Sequence, residues 1–454
     1  MVAGTRSQKL TGWGMTEPTV AQVARPRSAD DVARLVKDAS GSGVIARGLG
    51  RSYNNAAQND GGLVLSTGSM NQILSFDPQA GVAVCEPGVS LEQLMVTLLP
   101  KGWFVPVTPG TRKVSVGGAI AADVHGKNHH VAGSFARHVL SIDLLTADGD
   151  VRSVTPESEP ELFWATAGGM GLTGIILRAS IQMKSVETSR VIVDTVKTAN
   201  IDDTMAYLSS TDKDYDYTVA WTDCLATRGS LGRSVITSGD FASMSEVRYR
   251  DRKEPLSFKP SALLAAPPGV FPSGLINARS VRALNEAYYL RAPRRRTGEI
   301  QTIGQFFHPL DGIRNWNRVY GPAGFRQYQF VVPFSSSEVV RVALERIAAL
   351  RAPSFVTVLK RFGEGDRGML SFPMAGWTLA LDFPSRTPWL GQLMSELDDM
   401  VLEAGGRLYL AKDSRIPAEL MPRMYPRYEE FRALRARIDP SGVFSSDLSR
   451  RLRL

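Results

Sequence analysis

Two glycine-rich stretches of this 454-residue chain have the residue pattern best suited to hold a phosphate-bearing ligand. The first runs from Ile45 to Asn54 and the second from Pro109 to Asn128, and each is a short β-like run that breaks into glycines. Glycine lacks a Cβ atom, so its backbone can adopt a positive φ and approach a ligand closely. Successive backbone N–H groups then form a concavity that suits a diphosphate. The pair predicts a chain wrapped around a long, flat, phosphate-bearing cofactor.

A second group of residues carries side chains suited to proton transfer and to binding hydroxyl groups. His125 titrates near neutrality and is a candidate proton acceptor, with a packed histidine that exchanges no proton as the alternative. Gln327 and Gln329 alternate on a predicted strand and therefore share a face, which borders either a sugar site or solvent. Lys360 lies on the same side of a strand as Phe362, and this pair either holds a phosphate or lines a ring pocket. An ordinary amphipathic strand is the alternative.

The elements that must position these residues alternate between helices and strands over the first 185 residues. Ser28 to Asp31 resembles a capping box for a helix that continues from Val32 to about Ser40. The turn residues Asp148 and Gly149 predict a hairpin. The other predicted elements are the strands Val44–Arg47, Gly62–Thr67, Ile73–Phe76, Val82–Glu86 and Ile175–Met183, and the helix Leu91–Leu99 capped by Ser90.

The pattern changes along the chain in a way that predicts an α+β fold of two domains. A cofactor domain is predicted over residues 1–188, and a substrate domain of strands and longer helices over 189–406. Residues 407–454 are expected to return to the cofactor domain. Within the substrate domain, residues 252–298 show no steady hydrophobic period and are predicted to be a mobile, irregular segment.

Composition and charge exclude several classes of protein. No run approaches the roughly 18–20 apolar residues that span a bilayer, and the N-terminus lacks the apolar core of a signal peptide, so a cytoplasmic location is expected. The histidines have no spacing typical of a metal site, and Cys85 and Cys224 are expected to be structural thiols. The net charge of +8 suits nucleic acid, anionic lipid or a phosphorylated substrate, or is simply a basic surface. Nothing but charge favours nucleic acid.

The nicotinamide-type Rossmann pattern fails, because Arg47 to Gly50 leads into polar, turn-like residues and not into a helix. The motifs instead resemble the FAD-binding domain of the vanillyl-alcohol oxidase family of flavoproteins, from about Thr16 to Met183. The resemblance implies an FAD-binding domain with an inserted antiparallel-sheet substrate domain. The residues expected to bind FAD are Arg47, Gly48, Leu49, Gly50, Arg51, Ser52, Tyr53, Pro109, Gly110, Thr111, Val114, Gly117, Gly118, Ala121, His125, Gly126, Asn128, Ile175, Tyr409 and Lys412.

Four further stretches resemble those members of the family that oxidise a lipid-linked ribose: Lys9–Gly14, Ala122–His130, Tyr320–Tyr328 and Leu408–Arg415. This resemblance implies oxidation of the C2′ hydroxyl of a polyprenyl-phosphate-linked ribose to a ketone. A separate NADH-dependent reductase would then complete an epimerisation that supplies arabinose to cell-wall arabinan. A related FAD oxidase acting on a soluble sugar alcohol or aldonolactone is the alternative.

The resemblance also assigns roles to individual side chains. Lys412 is expected beside flavin and substrate, where a cation stabilises developing negative charge or holds the substrate hydroxyl. Without the resemblance, Lys412 would be taken as a surface lysine paired with Asp413. Lys412 and His125 are the candidate catalytic residues. The expected substrate-binding residues are Gln327, Gln329, Lys360, Phe362, Lys127 and Tyr53.

Four positions depart from the family pattern. Arg51 stands where many members have the histidine that bonds covalently to flavin, so FAD is expected to be non-covalent. Ala380 replaces a pocket cysteine and Thr378 an asparagine. Phe307 replaces a tyrosine, which puts one hydrogen bond to substrate in doubt.

The segment 252–298 combines an apolar half with an arginine-rich half. Apolar contact and attraction of arginine to anionic lipid would tether the protein to a membrane surface, whereas a loop without a lipid role is the alternative. Resemblance to enzymes of envelope biosynthesis also allows a periplasmic location reached through a partner.

Overall fold

The computed structural model describes residues 4–39, 41–260, 262 and 264–454, so the predicted helix end at Ser40 lies outside the described residues. The strands are β1 Arg6–Leu10, β2 Thr19–Ala24, β3 Val44–Arg47, β4 Leu63–Ser66, β5 Ile73–Asp77, β6 Val82–Cys85, β7 Trp103–Phe104, β8 Val139–Leu145, β9 Val151–Val154, β10 Ile175–Gln182, β11 Lys184–Ser185, β12 Arg190–Thr198, β13 Tyr217–Thr222, β14 Ser234–Phe241, β15 Leu264–Ala265, β16 Arg295–Thr302, β17 Ile313–Arg314, β18 Phe325–Val332, β19 Thr357–Phe362, β20 Gly376–Pro384 and β21 Arg407–Leu408. The α-helices are α1 Ala29–Asp38, α2 Leu91–Leu98, α3 Val116–Ala121, α4 His129–Ala132, α5 Pro160–Thr166, α6 Ile201–Ser210, α7 Ala278–Arg291, α8 Ile303–Phe307, α9 Glu338–Ala349, α10 Leu390–Glu403, α11 Met421–Met424, α12 Tyr428–Ile438 and α13 Asp447–Leu452.

Three sheets organise the described chain. The first has the order β1-β2-β4-β3, with β4 parallel to both β2 and β3. The second, β5-β6-β10-β8-β9, is antiparallel throughout. The third is an eight-stranded antiparallel sheet in the order β16-β12-β14-β13-β19-β20-β18-β21. The predicted α+β fold with an inserted antiparallel sheet is confirmed, and that sheet is the eight-stranded one.

Short-range signals in the sequence predicted the local structure of the first two sheets well. Ser90 caps α2 by accepting a hydrogen bond from the Gln93 backbone N–H. Ser28 Oγ caps α1 by accepting a hydrogen bond from the Asp31 backbone N–H. A capping box also needs the Asp31 carboxylate to accept from the Ser28 N–H, but it accepts from the Arg27 N–H, so that half of the prediction is wrong. Gly149 has φ +90° in the turn between β8 and β9, as the predicted hairpin requires.

The prediction of an irregular segment over 252–298 is wrong for its second half. Helix α7 spans fourteen residues there, and β16 pairs with β12 directly after it. Only Val281 and Asn285 of α7 are buried, so the helix lacks the wide apolar stripe that a periodicity test detects. The Asn285 amide donates to the Asp223 carboxylate at 2.7 Å, which anchors α7 to the large sheet.

The C-terminal segment packs back against the first sheet. The Val44 N–H donates to the Val443 carbonyl at 2.7 Å, and Phe444 is fully buried in the cluster formed by β3, β4 and α1. These contacts support the proposed return of residues 407–454 to the cofactor domain. Among the helices that the structure describes, none is both long and apolar enough to cross a membrane.

Candidate active site

A cavity of about 970 Å³ lies between both glycine-rich loops and the face of the large sheet formed by β18, β19 and β20. This volume is at the upper end of ligand pockets. The predicted site residues that line it are Gly48, Leu49, Gly50, Arg51, Ser52, Tyr53, Pro109, Gly110, Thr111, Val114, Gly117, Gly118, Ala121, His125, Gly126, Lys127, Gln327, Gln329, Lys360, Tyr409 and Lys412. Tertiary structure therefore gathers both glycine loops, the paired glutamines and three lysines around one space.

The two glycine loops touch each other where they line this cavity. A Cβ atom on Gly48 would collide with Ser115 Oγ, and one on Gly117 would lie 2.9 Å from Pro87 Cβ. Gly50 has φ +64°, which side-chain-bearing residues adopt rarely. Glycine is therefore required at these positions by close approach and by backbone conformation, and the result is a backbone-lined wall.

Four predicted site residues lie outside the cavity wall. Arg47 donates to two backbone carbonyls, at 2.7 and 3.1 Å, and Asn128 donates to another at 2.9 Å. Ile175 is buried in the core while its strand neighbours face the cavity, so its side chain cannot contact a ligand there. Phe362 lies behind the wall against the His125 ring, with centroids 4.8 Å apart. Each of the four residues packs behind the cavity wall, and its side chain does not face the space that a ligand would occupy.

Lys412 lies on a tight turn that two distant side chains hold. Asn54 Nδ2 donates to the Leu410 carbonyl at 2.7 Å and also to the Asp413 carbonyl. The Asp413 carboxylate accepts from Arg451 Nη1 at 3.0 Å. The alternative of a surface lysine paired with Asp413 is therefore wrong, because Asp413 bonds elsewhere and Lys412 faces the cavity.

The Lys412 ammonium lies in a partly apolar, low-dielectric part of the cavity. Its Nζ is 5.3 Å from the centre of the Tyr53 ring and 5.8 Å from that of Tyr409. Burial lowers the pKa of Lys412, and the charge of Asp382 opposes that shift. Burial also raises the pKa of Asp382. The sequence analysis missed Asp382, although it follows Ala380 by two residues on β20 and therefore shares its face.

Gln327 and Gln329 both lie on β18 and are buried, so the alternative of a solvent-facing polar strand is wrong. Gln327 Nε2 donates to the Asp382 carboxylate. Gln329 Nε2 donates to Thr378 Oγ1 at 3.0 Å and lies 3.1 Å from His125 Nε2. The carbonyl oxygens of both amides have no hydrogen-bond partner within the described chain, which leaves two acceptors for hydroxyl or amide donors of a ligand.

His125 is enclosed by aromatic rings and by cations. The rings of Phe372 and Tyr409 lie 5.9 and 5.6 Å from it, and Lys360 Nζ is 3.1 Å from its Nδ1. Burial and the neighbouring Lys360 and Lys412 charges lower the pKa of His125 well below its ordinary value. The imidazole is therefore neutral near pH 7, as a proton acceptor must be.

Lys127 and Lys360 add two further amino groups to the cavity. Burial lowers the pKa of each to about 7. Lys127 Nζ donates to the Phe306 carbonyl at 2.5 Å and lies 4.1 Å from the centre of that ring. Amines near their pKa at neutral pH gain a proton readily when an anion such as a phosphate diester enters.

The positions that depart from the family pattern also border the site. Ala380 lines the cavity, and Thr378 lies behind Gln329 with its hydroxyl donated to the Phe330 carbonyl at 2.8 Å. Phe307 lines the cavity within an aromatic cluster, 4.8 Å from the Tyr217 ring. The Phe307 side chain lacks the hydroxyl group that a tyrosine would place at this position.

The cavity continues to an apolar rim at the surface, formed by Leu284, Tyr288 and Ile313. The Tyr288 ring packs edge-on against Trp221, with 4.5 Å between centroids. Sequence reasoning missed this rim, although Leu284 and Tyr288 have the i, i+4 spacing that places two side chains on one face of a helix.

Comparison with known proteins decides what this architecture is. Residues 20–155 match the FAD binding domain family, and residues 361–452 match the D-arabinono-1,4-lactone oxidase family. The decaprenylphosphoryl-beta-D-ribose oxidase of Mycolicibacterium smegmatis (strain ATCC 700084 / mc(2)155) is 47% identical over 99% of this chain and 98% of its own. The chain belongs to the decaprenylphosphoryl-β-D-ribose oxidase family.

Two other proteins are similar to most or to part of the chain. An uncharacterised protein of Streptomyces coelicolor is 41% identical over 81% of this chain and its own whole length. Cytokinin dehydrogenase 5 of Arabidopsis thaliana is 34% identical over 36% of this chain and 32% of its own. The FAD binding domain fits the vanillyl-alcohol oxidase family that the glycine motifs indicate.

Members of the decaprenylphosphoryl-β-D-ribose oxidase family are FAD-dependent oxidoreductases, and the cofactor of this chain is FAD. The site fits that cofactor, because the close-packed glycines at positions 48 and 117 expose backbone along an elongated wall. The paired glutamines lie on the large-sheet side of the same cavity, and Lys412 lines it from the turn that is bonded to the first glycine loop.

Proposed function

We propose that this protein oxidises the C2′ hydroxyl of decaprenylphosphoryl-β-D-ribose to the 2′-ketone. The reaction is the first half of an epimerisation that yields the arabinose donor for cell-wall arabinan. The observation that carries the proposal is the convergence of Lys127, Lys360 and Lys412 with Gln327 and Gln329 on the cavity that the glycine loops line. Whole-length similarity to an oxidase of that name supports it.

The chain's own residues divide the work of binding and charge stabilisation. FAD, when bound, would supply the hydride acceptor for the C2′ hydrogen. The proton of the C2′ hydroxyl would pass to a base in the cavity, for which the neutral His125 is the candidate. The free carbonyl oxygens of Gln327 and Gln329 are placed to accept hydrogen bonds from ribose hydroxyls. Lys412 supplies a cation where negative charge develops, and the remaining lysines favour a phosphate-bearing substrate.

The proposed FAD complex is non-covalent. Arg51 Nε donates to the Lys113 carbonyl at 3.2 Å, and its guanidinium lies 3.9 Å from the centre of the Trp13 ring. An arginine at this position cannot form the bond to flavin that a histidine forms. Acid precipitation should release yellow flavin into the supernatant. Flavin retained in the pellet would refute the non-covalent link without affecting the proposed reaction.

A direct assay tests the reaction. The purified protein is incubated with a prenylphosphoryl ribose and a dye acceptor, and the expected product is lighter by two hydrogen atoms at C2′. D-Arabinono-1,4-lactone and soluble pentitols are run in parallel, because the match of residues 361–452 favours that alternative substrate class. Turnover of a soluble substrate with no turnover of the lipid-linked ribose would replace the proposal with the alternative.

We further propose that an NADH-dependent keto-reductase is the partner enzyme. A 2′-ketone must be reduced from the opposite face of the ring to give the arabinose epimer. Addition of such a reductase with NADH to the assay should convert the ketone to the arabinose product. Accumulation of ketone in the presence of active reductase would contradict the pairing.

Peripheral attachment to a membrane follows from the chemistry of a long prenyl chain, which the cavity cannot enclose. The rim residues Leu284 and Tyr288 are half-exposed, and exposed arginines at 279 and 282 lie on the same helix. Apolar contact and attraction to anionic lipid would therefore act together. We propose that α7 is the part of the protein that contacts the bilayer.

Point substitutions test this attachment better than a deletion of 262–296, because α7 is anchored through Asn285. The double change Leu284→Ser and Tyr288→Ser should weaken binding to vesicles of anionic phospholipid. Val151→Ser, which alters an equally exposed apolar residue on a hairpin of the second sheet, is the control. Equal binding of both variants and the wild type would rule out α7 as the membrane contact.

A further inference from the structure

Asn54 connects the first glycine loop to the turn that carries Lys412, although 356 residues separate Asn54 from Leu410. Its amide nitrogen donates to the carbonyls of Leu410 and Asp413, and its carbonyl oxygen accepts from the Ala56 N–H at 3.1 Å. The side chain is 2% exposed. All its hydrogen-bonding groups are thus committed, and only an amide of this length offers two donors and one acceptor together.

The two carbonyls that Asn54 holds stand on either side of Lys412. Both the Lys412 and the Asp413 N–H groups donate to the Tyr409 carbonyl, at 2.9 and 3.0 Å, which closes the turn. Within the described chain, the Lys412 side chain has no hydrogen bond of its own, and its ring contacts exceed 5 Å. The backbone of the turn therefore sets the point from which the Lys412 side chain enters the cavity.

A second anchor holds only one end of this turn. Arg451 donates to the Asp413 carbonyl at 3.2 Å and to the Asp413 carboxylate at 3.0 Å. It comes from α13 and does not belong to the glycine loop. Leu410, at the other end, is held by Asn54, and the adjacent Tyr53 N–H donates to the Ala411 carbonyl at 3.0 Å.

We infer that Asn54 is a positioning residue that couples the FAD-binding loop to the Lys412 turn, so that the conformation that binds FAD is also the one that places the lysine. The inference rests on the proposed role of Lys412 in oxidation. Because the hydrogen bonds of Asn54 join the loop to the turn, their removal should both free the turn and weaken FAD binding. Arg451 stabilises the turn without reaching the loop, so its removal should free the turn alone.

Three variants separate the coupling from loss of stability: Asn54→Ala, Arg451→Met and Asn55→Ala. Each variant is purified as the FAD-loaded protein. Two quantities are then measured, the rate of hydrogen exchange in the peptide 409–416 and the dissociation constant for FAD. Asn54→Ala should accelerate exchange and raise the FAD dissociation constant about 10-fold, within the usual range of coupling. Arg451→Met should accelerate exchange but leave FAD affinity within about twofold. Asn55→Ala, whose side-chain oxygen is unpaired among the described residues, should change neither.

Asn54→Asp provides a variant of the same volume if the alanine variant does not fold. It replaces two N–H donors by a carboxylate oxygen that faces two carbonyl oxygens, so the hydrogen bonds are lost. Faster hydrogen exchange and a higher FAD dissociation constant are again expected. Accelerated exchange with unchanged FAD affinity in both Asn54 variants would overturn the inference, and so would a loss of FAD affinity in Arg451→Met. Neither readout uses substrate, so failure of the proposed oxidation would appear separately in the product assay.

Discussion

Asp123 offers the sharpest test of how this site is held together. Its carboxylate is fully buried between the second glycine loop and the segment that precedes β20. Ser134 Oγ donates to it at 2.7 Å, the Ala136 N–H at 3.0 Å, and Ser371 Oγ donates as well. The neighbouring ring of Phe372 stacks on Tyr409 with centroids 4.7 Å apart. Burial raises the pKa of Asp123 from 3.8 to about 6, despite these hydrogen bonds.

The raised pKa fixes the sign and size of a stability effect. Between pH 4 and pH 6 the folded protein binds more protons at Asp123 than the unfolded chain, so this group's contribution to stability falls as pH rises. A shift of about two pKa units corresponds to about 3 kcal/mol, at 1.36 kcal/mol per unit. The full loss of this stability contribution is reached at pH values above the pKa of Asp123 in the folded protein. Asn at this position avoids the loss because it stays neutral and tolerates the φ of +38° found there.

The measurement is urea unfolding of the wild type and Asp123→Asn between pH 4.5 and 7.5. The stability of the variant relative to the wild type should increase by about 2 kcal/mol across that range and level off above pH 7. Asp30→Asn, at an exposed site in α1, is the control and should show no such trend. A flat difference for Asp123→Asn, or a relative stability that falls with pH, would refute the reasoning.

Three other changes have equally definite outcomes. Lys412→Met should lower kcat about 10²–10³-fold in steady-state kinetics, as loss of one electrostatic stabiliser does. Lys37→Met, on the exposed face of α1, should leave kcat unchanged. A change in KM alone for Lys412→Met would contradict the assigned role. Ala380→Cys should retain oxidation in the absence of inhibitor. Its new thiol should take up one equivalent of an electrophilic inhibitor, as measured by mass spectrometry, whereas the wild type stays unlabelled. Gly48→Ala should abolish FAD binding in a flavin titration, because its Cβ would meet Ser115 Oγ. Gly391→Ala, on the exposed face of α10 where a Cβ has open space, should retain FAD binding.

Much of the site could be predicted because its signals are local. The neighbours of Gly48 and Gly117 leave no room for a Cβ atom, and the glycines that this requires stand in the sequence as two visible clusters. Alternation on a strand likewise placed Gln327 and Gln329 on one face before any contact was known. The same rule applied to β20 would have added Asp382 to the site.

Other features had no local signal. Helix α7 was missed because it buries so few apolar side chains, and its order depends on Asn285 meeting Asp223 from another part of the chain. The side chain of Ile175 faces the core, since a strand side chain faces core or cavity according to which sheet covers it. The four predicted contacts that lie outside the cavity wall remain predictions.

The sequence alone determined the fold class, the cofactor loops and the chemistry available at each position, because glycine conformation, strand alternation and helix capping act over a few residues. Tertiary structure decided which groups meet. The neutral state of His125, the lowered pKa of Lys412 and the hold of Asn54 on its turn all arise from burial and from partners hundreds of residues away. Burial and long-range contact are properties of the folded chain, and no window of sequence contains them.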